Sequence, residues 1–188
     1  MKLVLLRHGE TAANEEKRYC GATDLPLSAA GEEQLRRRKQ AAAYPDVQGY
    51  TAITSGLLRC EQTLRILYGD VSHTADSAFR EMDFGAFEMH SYEELKNDPR
   101  YLEWIAGDNE LKPTPGGESG AQMTARVLEA LSCLIKKNEN TLIVTHGGVI
   151  AAIMAKLFER EGKNRYDWQP APGGGYIVDT GAKIYRSV

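Results

Sequence analysis

The chain has 188 residues, with 23 Lys plus Arg against 26 Asp plus Glu and a formal net charge of −3. That length favours one compact domain with a sizeable core over two, and the near balance of charge disfavours a generic binder of nucleic acid or of an anionic membrane. With 42% apolar and 26% charged residues, the composition is that of a globular protein and argues against disorder and low-complexity architecture. Cys20, Cys60 and Cys133 are odd in number and far apart, without a CxxC pair or metal-ligand spacing, so neither a disulfide framework nor a metal set is expected. The apolar start, Leu3 to Leu6, meets Arg7 and His8 too soon for a secretory signal, and no stretch has the length of a membrane span. A cytoplasmic location is the expectation.

In chain order, Leu3–Leu6 is an unbroken apolar run of the kind found in a central strand buried on both faces. A helix is expected from Leu27-Ser28 to about Tyr44, with Ser28 as its N-cap and Pro45 beyond its end. Its Arg36–Lys39 run reads as a solvated face. Tyr50 to Thr54 reads as a second strand, and Leu57 to Tyr68 as a helix stopped by Gly69. From about 78 to 117, Gly85, Pro99, Gly107 and Pro113 break the pattern into short pieces, with helical turns expected at Tyr92–Lys96 and Tyr101–Trp104. This segment reads as a cap-like insertion within a domain spanning 1–188.

After the Pro115-Gly116-Gly117 turn, Ser119 and Gln122 stand at capping-box spacing before a long helix with Met123, Val127, Ala130, Leu131 and Leu134 on one stripe. Leu142-Ile143-Val144 is a further buried strand, followed by His146-Gly147-Gly148 and an apolar helix from Val149 to Phe158. Tyr176–Val178 and Ala182–Tyr185 close the chain as a hairpin through Asp179-Thr180-Gly181. The alternation implies a layered α/β domain with a mainly parallel sheet. Gly173–Gly175 precedes a strand and reads as a turn, and Gly162-Lys163-Asn164 fails the nucleotide-loop pattern.

Two separate strands thus run into histidine, one into Arg7-His8-Gly9 and one into Thr145-His146-Gly147-Gly148. In open α/β sheets ligands bind beyond the carboxyl ends of the strands, so both imidazoles are delivered to one rim. The strand ending at Thr54 leads into Arg59 in the first helical turn at that rim. A lone strand-end histidine is ordinarily a satisfied structural residue, but Arg is seldom buried without a partner, and the combination is harder to dismiss. Forked guanidinium donors and helix N-termini suit phosphate oxygens, and a neutral imidazole among them can attack phosphorus. For a carboxyl partner the residues alone leave Glu81, Asp83, Glu88, Glu93 and Glu94 open, each also readable as a surface acid. His73 and His90 read as surface histidines, His90 near these acids.

The segments Arg7-His8-Gly9-Glu10-Thr11 with Asn14, Gly21-Ala22-Thr23-Asp24-Leu25-Pro26-Leu27-Ser28, Ser55-Gly56-Leu57-Leu58-Arg59-Cys60-Glu61-Gln62-Thr63, Arg80-Glu81-Met82-Asp83-Phe84-Gly85-Ala86-Phe87-Glu88 and Thr145-His146-Gly147-Gly148-Val149-Ile150 occur in order. Together they resemble the histidine phosphatase, or phosphoglycerate mutase-like, superfamily and cover most of the chain. The resemblance implies a three-layer α/β/α fold with a mainly parallel central sheet. It implies that His8 forms a phosphohistidine, that Arg7, Arg59 and His146 clamp the phosphoryl group, and that Glu81 is the general acid and base. By motif position Asn14, Arg18, Gly21, Thr23 and Gly147 are expected on the substrate. No metal and no cofactor is expected, since arginines can carry the charge stabilisation.

Cofactor-dependent mutases of that family carry adjacent arginines for a substrate carboxylate before the last histidine. Between Gly85 and Glu118 this chain has only Lys96, Arg100 and Lys112. The expectation is therefore a metal-independent phosphomonoester hydrolase, similar to α-ribazole phosphatase or broad-specificity members, acting on a small phosphorylated metabolite. A phosphoglycerate mutase and a non-catalytic phosphate-binding module are the alternatives. Met89, Cys20 and Ala151 depart from the common family pattern and bear on the leaving group. Neither a nucleic-acid nor a membrane partner is expected, and a homodimer is compatible with the sequence.

Overall fold

In the computed structural model, which describes residues 1–41, 43–108 and 110–188, β1 (Lys2–Arg7) lies in the middle of the sheet. Leu3 to Leu6 have no exposed surface, as expected of a strand covered on both faces. The described strands form one six-stranded sheet, ordered β3-β2-β4-β1-β5-β6. β1 pairs in parallel with β4 (Thr141–Thr145), β4 with β2 (Thr51–Thr54), and β2 with β3 (His73–Ala75). β5 (Gly175–Asp179) runs antiparallel to β1, and β6 (Ile184–Ser187) pairs back on β5 in the expected hairpin.

The period-2 alternation of the strands splits the core between two faces. Leu3, Leu5, Ile53 and Ile143 pack with Met123, Val127 and Leu131 of α6 (Gly120–Lys137) and Val149, Ile150 and Ile153 of α7 (Gly147–Leu157). Val4, Leu6, Ala52, Leu142 and Val144 pack with Leu35 of α2 (Ala29–Gln40) and Cys60, Leu64 and Leu67 of α3 (Leu58–Tyr68). The layers are helix, sheet, helix. All three cysteines are free thiols.

Local chemistry sets most boundaries. Ser28 Oγ accepts from Gly31 N at 3.1 Å, Ser119 and Gln122 form a reciprocal capping box, and Gly69 ends α3 at φ 78. α2 stops at Gln40, short of the expected Tyr44; Ala42, in that stretch, lies outside the described residues. α7 starts at Gly147 rather than Val149, β5 extends one residue beyond each expected limit, and β6 is shifted two residues along the chain, from the expected 182–185 to Ile184–Ser187. Two short elements escape the apolar pattern. α1 (Ala12–Glu15) is nucleated by a Thr11–Asn14 capping box, and β3 has all three residues exposed at the sheet edge.

Between β3 and α6 lie 3-10 turns at Ser77–Phe79 and Gly85–Phe87, then α4 (Tyr92–Leu95) and α5 (Pro99–Ala106). Asn109, within the expected insertion, lies outside the described residues. Phe79, Phe87, Tyr101 and Trp104 join the core on the α6–α7 side, so much of the aromatic content of this segment is packing. Tyr92 is exposed. Among the described residues no helix is long and apolar enough to cross a membrane.

Candidate active site

The sheet register creates the site. Arg7 is level with Thr145 on neighbouring parallel strands, so the next residue of each, His8 and His146, leaves the sheet beside the other. Their ring centroids are 5.1 Å apart at 63°. β2 ends level with Val144, and Ser55 just beyond it places Oγ 2.9 Å from His146 Nε2. Arg59 follows in the first turn of α3 with only 1% of its surface exposed.

Each imidazole is held in one orientation. His8 Nδ1 donates to the Gly9 carbonyl at 2.7 Å, which fixes the tautomer and leaves the lone pair on Nε2. Gly9 N donates to Thr63 Oγ1 at 3.0 Å, and that hydroxyl donates to the Arg59 carbonyl at 2.7 Å, tying β1 to α3. Burial, reinforced by Arg59 and Arg7, lowers the His8 pKa from 6.5 to about 3. His146 is also held well below its ordinary value, by burial first and then by His8, Arg59 and Arg7. Both rings are uncharged at neutral pH.

Arg59 Nη1 donates to Thr23 O and Nη2 to Gly21 O, each at 2.7 Å. Those carbonyls are in turn held by Glu88. Its carboxylate accepts from Gly21 N at 2.9 Å, Ala22 N at 3.0 Å, Thr23 N at 3.2 Å and Thr23 Oγ1 at 2.6 Å. It also accepts from Phe84 N at 2.9 Å. Four sequential or nearby N–H groups on one carboxylate are a strong charge-assisted set. Gly21 has no room for a side chain, because a Cβ would overlap the Met82 carbonyl.

Glu81 is fastened to the start of α7, with Oε2 accepting from Gly148 N at 2.8 Å and Oε1 from Met82 N at 3.0 Å. A Cβ on Gly148 would run into this carboxylate, and one on Gly147 would lie 3.3 Å from the Arg7 guanidinium carbon. Arg126 of α6 braces the same segment from behind. It forks onto Glu118 at 2.9 and 2.8 Å and donates to the carbonyls of Ala78 at 3.0 Å, Arg80 at 2.7 Å and Glu81 at 2.9 Å.

Arg7 Nη1 donates to Pro170 O at 2.8 Å, whereas its Nε and His146 Nδ1 are buried without a hydrogen-bond partner among the described residues. An unsatisfied buried polar group costs about 1–3 kcal/mol, a cost that an oxyanion accepting from these nitrogens would remove. A cavity of about 360 Å³ opens at this point, with Arg7, Asn14, Glu81 and Gly148 at its wall and Arg18, Tyr19, Phe84, Trp104, Ile105, Glu110, Arg165 and Tyr166 farther around it. His8, Arg59 and His146 are buried and are not among the lining residues.

The residues expected from the sequence therefore fall into groups. Arg7, His8, Arg59, Glu81 and His146 gather at the ends of β1, β4 and β2, and Gly147 opens α7 against Arg7. Asn14 and Arg18 line the cavity; the Asn14 side-chain oxygen Oδ1 accepts from Thr11 N and Oγ1, and the Arg18 guanidinium holds Glu16, Glu94 and the Met89 carbonyl. Gly21 and Thr23 offer backbone oxygens to Arg59, while the Thr23 side chain turns to Glu88. His90 is exposed, and His73 pairs with Glu61 at 2.7 Å. Glu88 is a loop clamp rather than a solvated acid. Arg126, Glu110 and Arg165 carry no spacing signal; only their partners in the fold mark them.

A neutral imidazole with its Nε2 lone pair free, two guanidiniums, a second neutral imidazole and a carboxylate can bind a tetrahedral oxyanion and move a proton beside it. Residues 3–185 match the histidine phosphatase superfamily (branch 1). The chain belongs to that superfamily. It is 30% identical over 204 residues to the probable phosphoglycerate mutase GpmB of Enterobacter sp. (strain 638), covering 98% of this chain and 94% of the relative. The crystal structure of a phosphoglycerate mutase from Thermus thermophilus superposes with a TM-score of 0.74 at 38% identity, covering 95% and 93% of the two chains. That of the alpha-ribazole phosphatase from Shigella flexneri superposes with a TM-score of 0.86 at 28% identity, covering 98% and 93%. Members of this superfamily are phosphatases or mutases, and the α/β fold described above is the one they share.

Proposed function

We propose that this histidine phosphatase superfamily member is a phosphomonoester hydrolase that works through a phosphorylated His8 on a small phosphorylated metabolite. The observation that carries the reading is the pairing of two uncharged imidazoles 5.1 Å apart beside Arg7 and Arg59, with His8 Nδ1 committed to Gly9 O. His8 Nε2 attacks phosphorus, the P–O bond to the alcohol breaks, and Glu81 donates the proton that the departing oxygen takes up. Water then attacks phosphorus, giving its proton to Glu81, and the His8 N–P bond breaks to release phosphate. Arg7, Arg59 and His146 offset the charge on the equatorial oxygens, so the chemistry has no need of a metal or cofactor. Asn14 and Gly147 adjoin the phosphoryl end, and Gly21 and Thr23 act through the carbonyls that hold Arg59.

The cavity of about 360 Å³ suits a small leaving group rather than nucleic acid or a membrane surface. Phosphate release across sugar phosphates, phosphoglycerates and α-ribazole phosphate tests the reading. His8→Ala should abolish it while leaving the circular dichroism spectrum unchanged. Full activity in that variant would overturn the reading.

The name of the Enterobacter relative favours a second reading, phosphoglycerate interconversion. Against it, Lys96 pairs with Glu93, Arg100 with Asp98 and Lys112 with Glu103, and none of the three lines the cavity. Interconversion with bisphosphoglycerate present that outran phosphate release would decide for the mutase.

A further inference from the structure

Three guanidiniums line the cavity, and only Arg7 belongs to its phosphoryl end. Arg18 is held by two carboxylates, Glu16 at 2.5 Å and Glu94 at 2.7 Å, and by the Met89 carbonyl at 2.6 Å. Arg165 forms an ion pair with Glu110, which itself lines the cavity. The fold holds this pair close to the start of α6. Ala121 N donates to the Glu110 carbonyl at 2.7 Å, and Gly120 leaves the space the pair occupies, since a Cβ there would collide with the Glu110 carboxylate and come within 2.8 Å of Arg165 Nη1. The remaining wall is Tyr19, Phe84, Trp104, Ile105 and Tyr166, with Ile105 and Tyr166 exposed at its rim.

Both cations beyond the phosphoryl end thus already carry a carboxylate. A second negative charge on the substrate would have to displace Glu110 from Arg165 and then sit beside it, whereas an uncharged ring or aliphatic body meets apolar walls. We propose that Glu110, by neutralising Arg165, sets the charge selectivity of this cavity. It admits phosphomonoesters whose alcohol part is uncharged and disfavours those whose alcohol part bears a carboxylate. Glu110 and Arg165 are specificity-determining residues in this scheme, which rests on the phosphomonoesterase reading and adds the class of leaving group to it.

Glycerol 3-phosphate and 3-phosphoglycerate differ at one end by a hydroxymethyl against a carboxylate, so their ratio isolates the charge. The wild type should favour glycerol 3-phosphate in kcat/KM. Glu110→Gln should move the ratio toward 3-phosphoglycerate by roughly tenfold, the size expected when a partly exposed guanidinium gains a carboxylate partner. Glu110→Asp should keep the wild-type ratio, and Glu110→Gln combined with Arg165→Gln should lose the gain.

The same ratio taken from dissociation constants by calorimetry reads the selectivity without turnover. A ratio that Glu110→Gln leaves in place, or a shift that survives removal of Arg165, would overturn the charge-selectivity proposal alone. Failure of the wild type to hydrolyse either ester would instead count against the phosphatase reading, with the calorimetric ratio still deciding the role of Glu110.

Discussion

The two ends of the cavity are built on different terms. The phosphoryl end sits on the carboxyl ends of β1, β4 and β2, where His8, Arg59 and His146 are 5%, 1% and 1% exposed and neighbouring strands fix their spacing. The leaving-group end is assembled from Arg18 and Tyr19 after α1, from Phe84, Trp104, Ile105 and Glu110, and from Arg165 and Tyr166 in the 3-10 turn Arg165–Trp168, and its cations are tied by partly exposed ion pairs. Buried, oriented groups give a reaction its electrostatics without reorganisation, while exposed pairs are worth little each and are free to change. Under the proposed function, the chemistry resides in the sheet and the choice of substrate in the segments laid over it.

That contrast predicts unequal mutational costs. Glu81→Gln, at the junction of the two ends, should lower kcat by roughly 10²–10⁴-fold for esters of poor leaving alcohols. The loss in kcat/KM, which reports the step that forms the phosphohistidine, should be much smaller for p-nitrophenyl phosphate, whose leaving group needs no proton; equal losses in kcat/KM on both would remove Glu81 from the acid role.

Glu88→Ala should come next, because it frees the loop whose carbonyls hold Arg59. We expect roughly a tenfold or larger fall in kcat/KM and a stability loss of about 1–3 kcal/mol in urea unfolding. Unchanged kinetics with the same stability loss would show that the clamp serves the fold alone.

A separate effect, on stability rather than turnover, should appear in acid. His8 binds a proton only near pH 3 when folded but near pH 6.5 when unfolded, and His146 is shifted in the same direction. Between these values the unfolded chain holds more protons, so stability is fully present above about pH 6.5 and falls as the pH drops toward 3. The slope is up to ~1.4 kcal/mol per pH unit for each histidine. His8→Gln should flatten this fall; an unaltered slope would mean that His8 is not neutral in the folded protein.

The same division governs what the sequence discloses. Leu3–Leu6 and Leu142–Val144 are short apolar runs with a histidine soon after each, and parallel pairing leaves those histidines nowhere to go but side by side. Ser28, Gly69 and the Ser119–Gln122 pair mark helix ends because capping is local chemistry. β3 is hidden because an exposed edge strand needs no apolar residue. The task of Glu88 depends on a loop 65 to 67 residues away, and Arg165 meets Glu110 across 55, separations at which periodicity carries no information. Spacing alone could not choose Glu81 among the acids; the family resemblance picked it out, and the Gly148 N–H and the Arg126 brace that hold it exist only once α6 and α7 are packed.

The central claim is that phosphoryl groups pass through His8. Rapid acid-free quenching during turnover, followed by phosphorus NMR and peptide mass spectrometry, measures it directly. A phosphoryl group on the His8-containing peptide that forms and decays at catalytically competent rates is the predicted result. Turnover at full rate with phosphate never appearing on His8, or with the adduct on His146 instead, would contradict it.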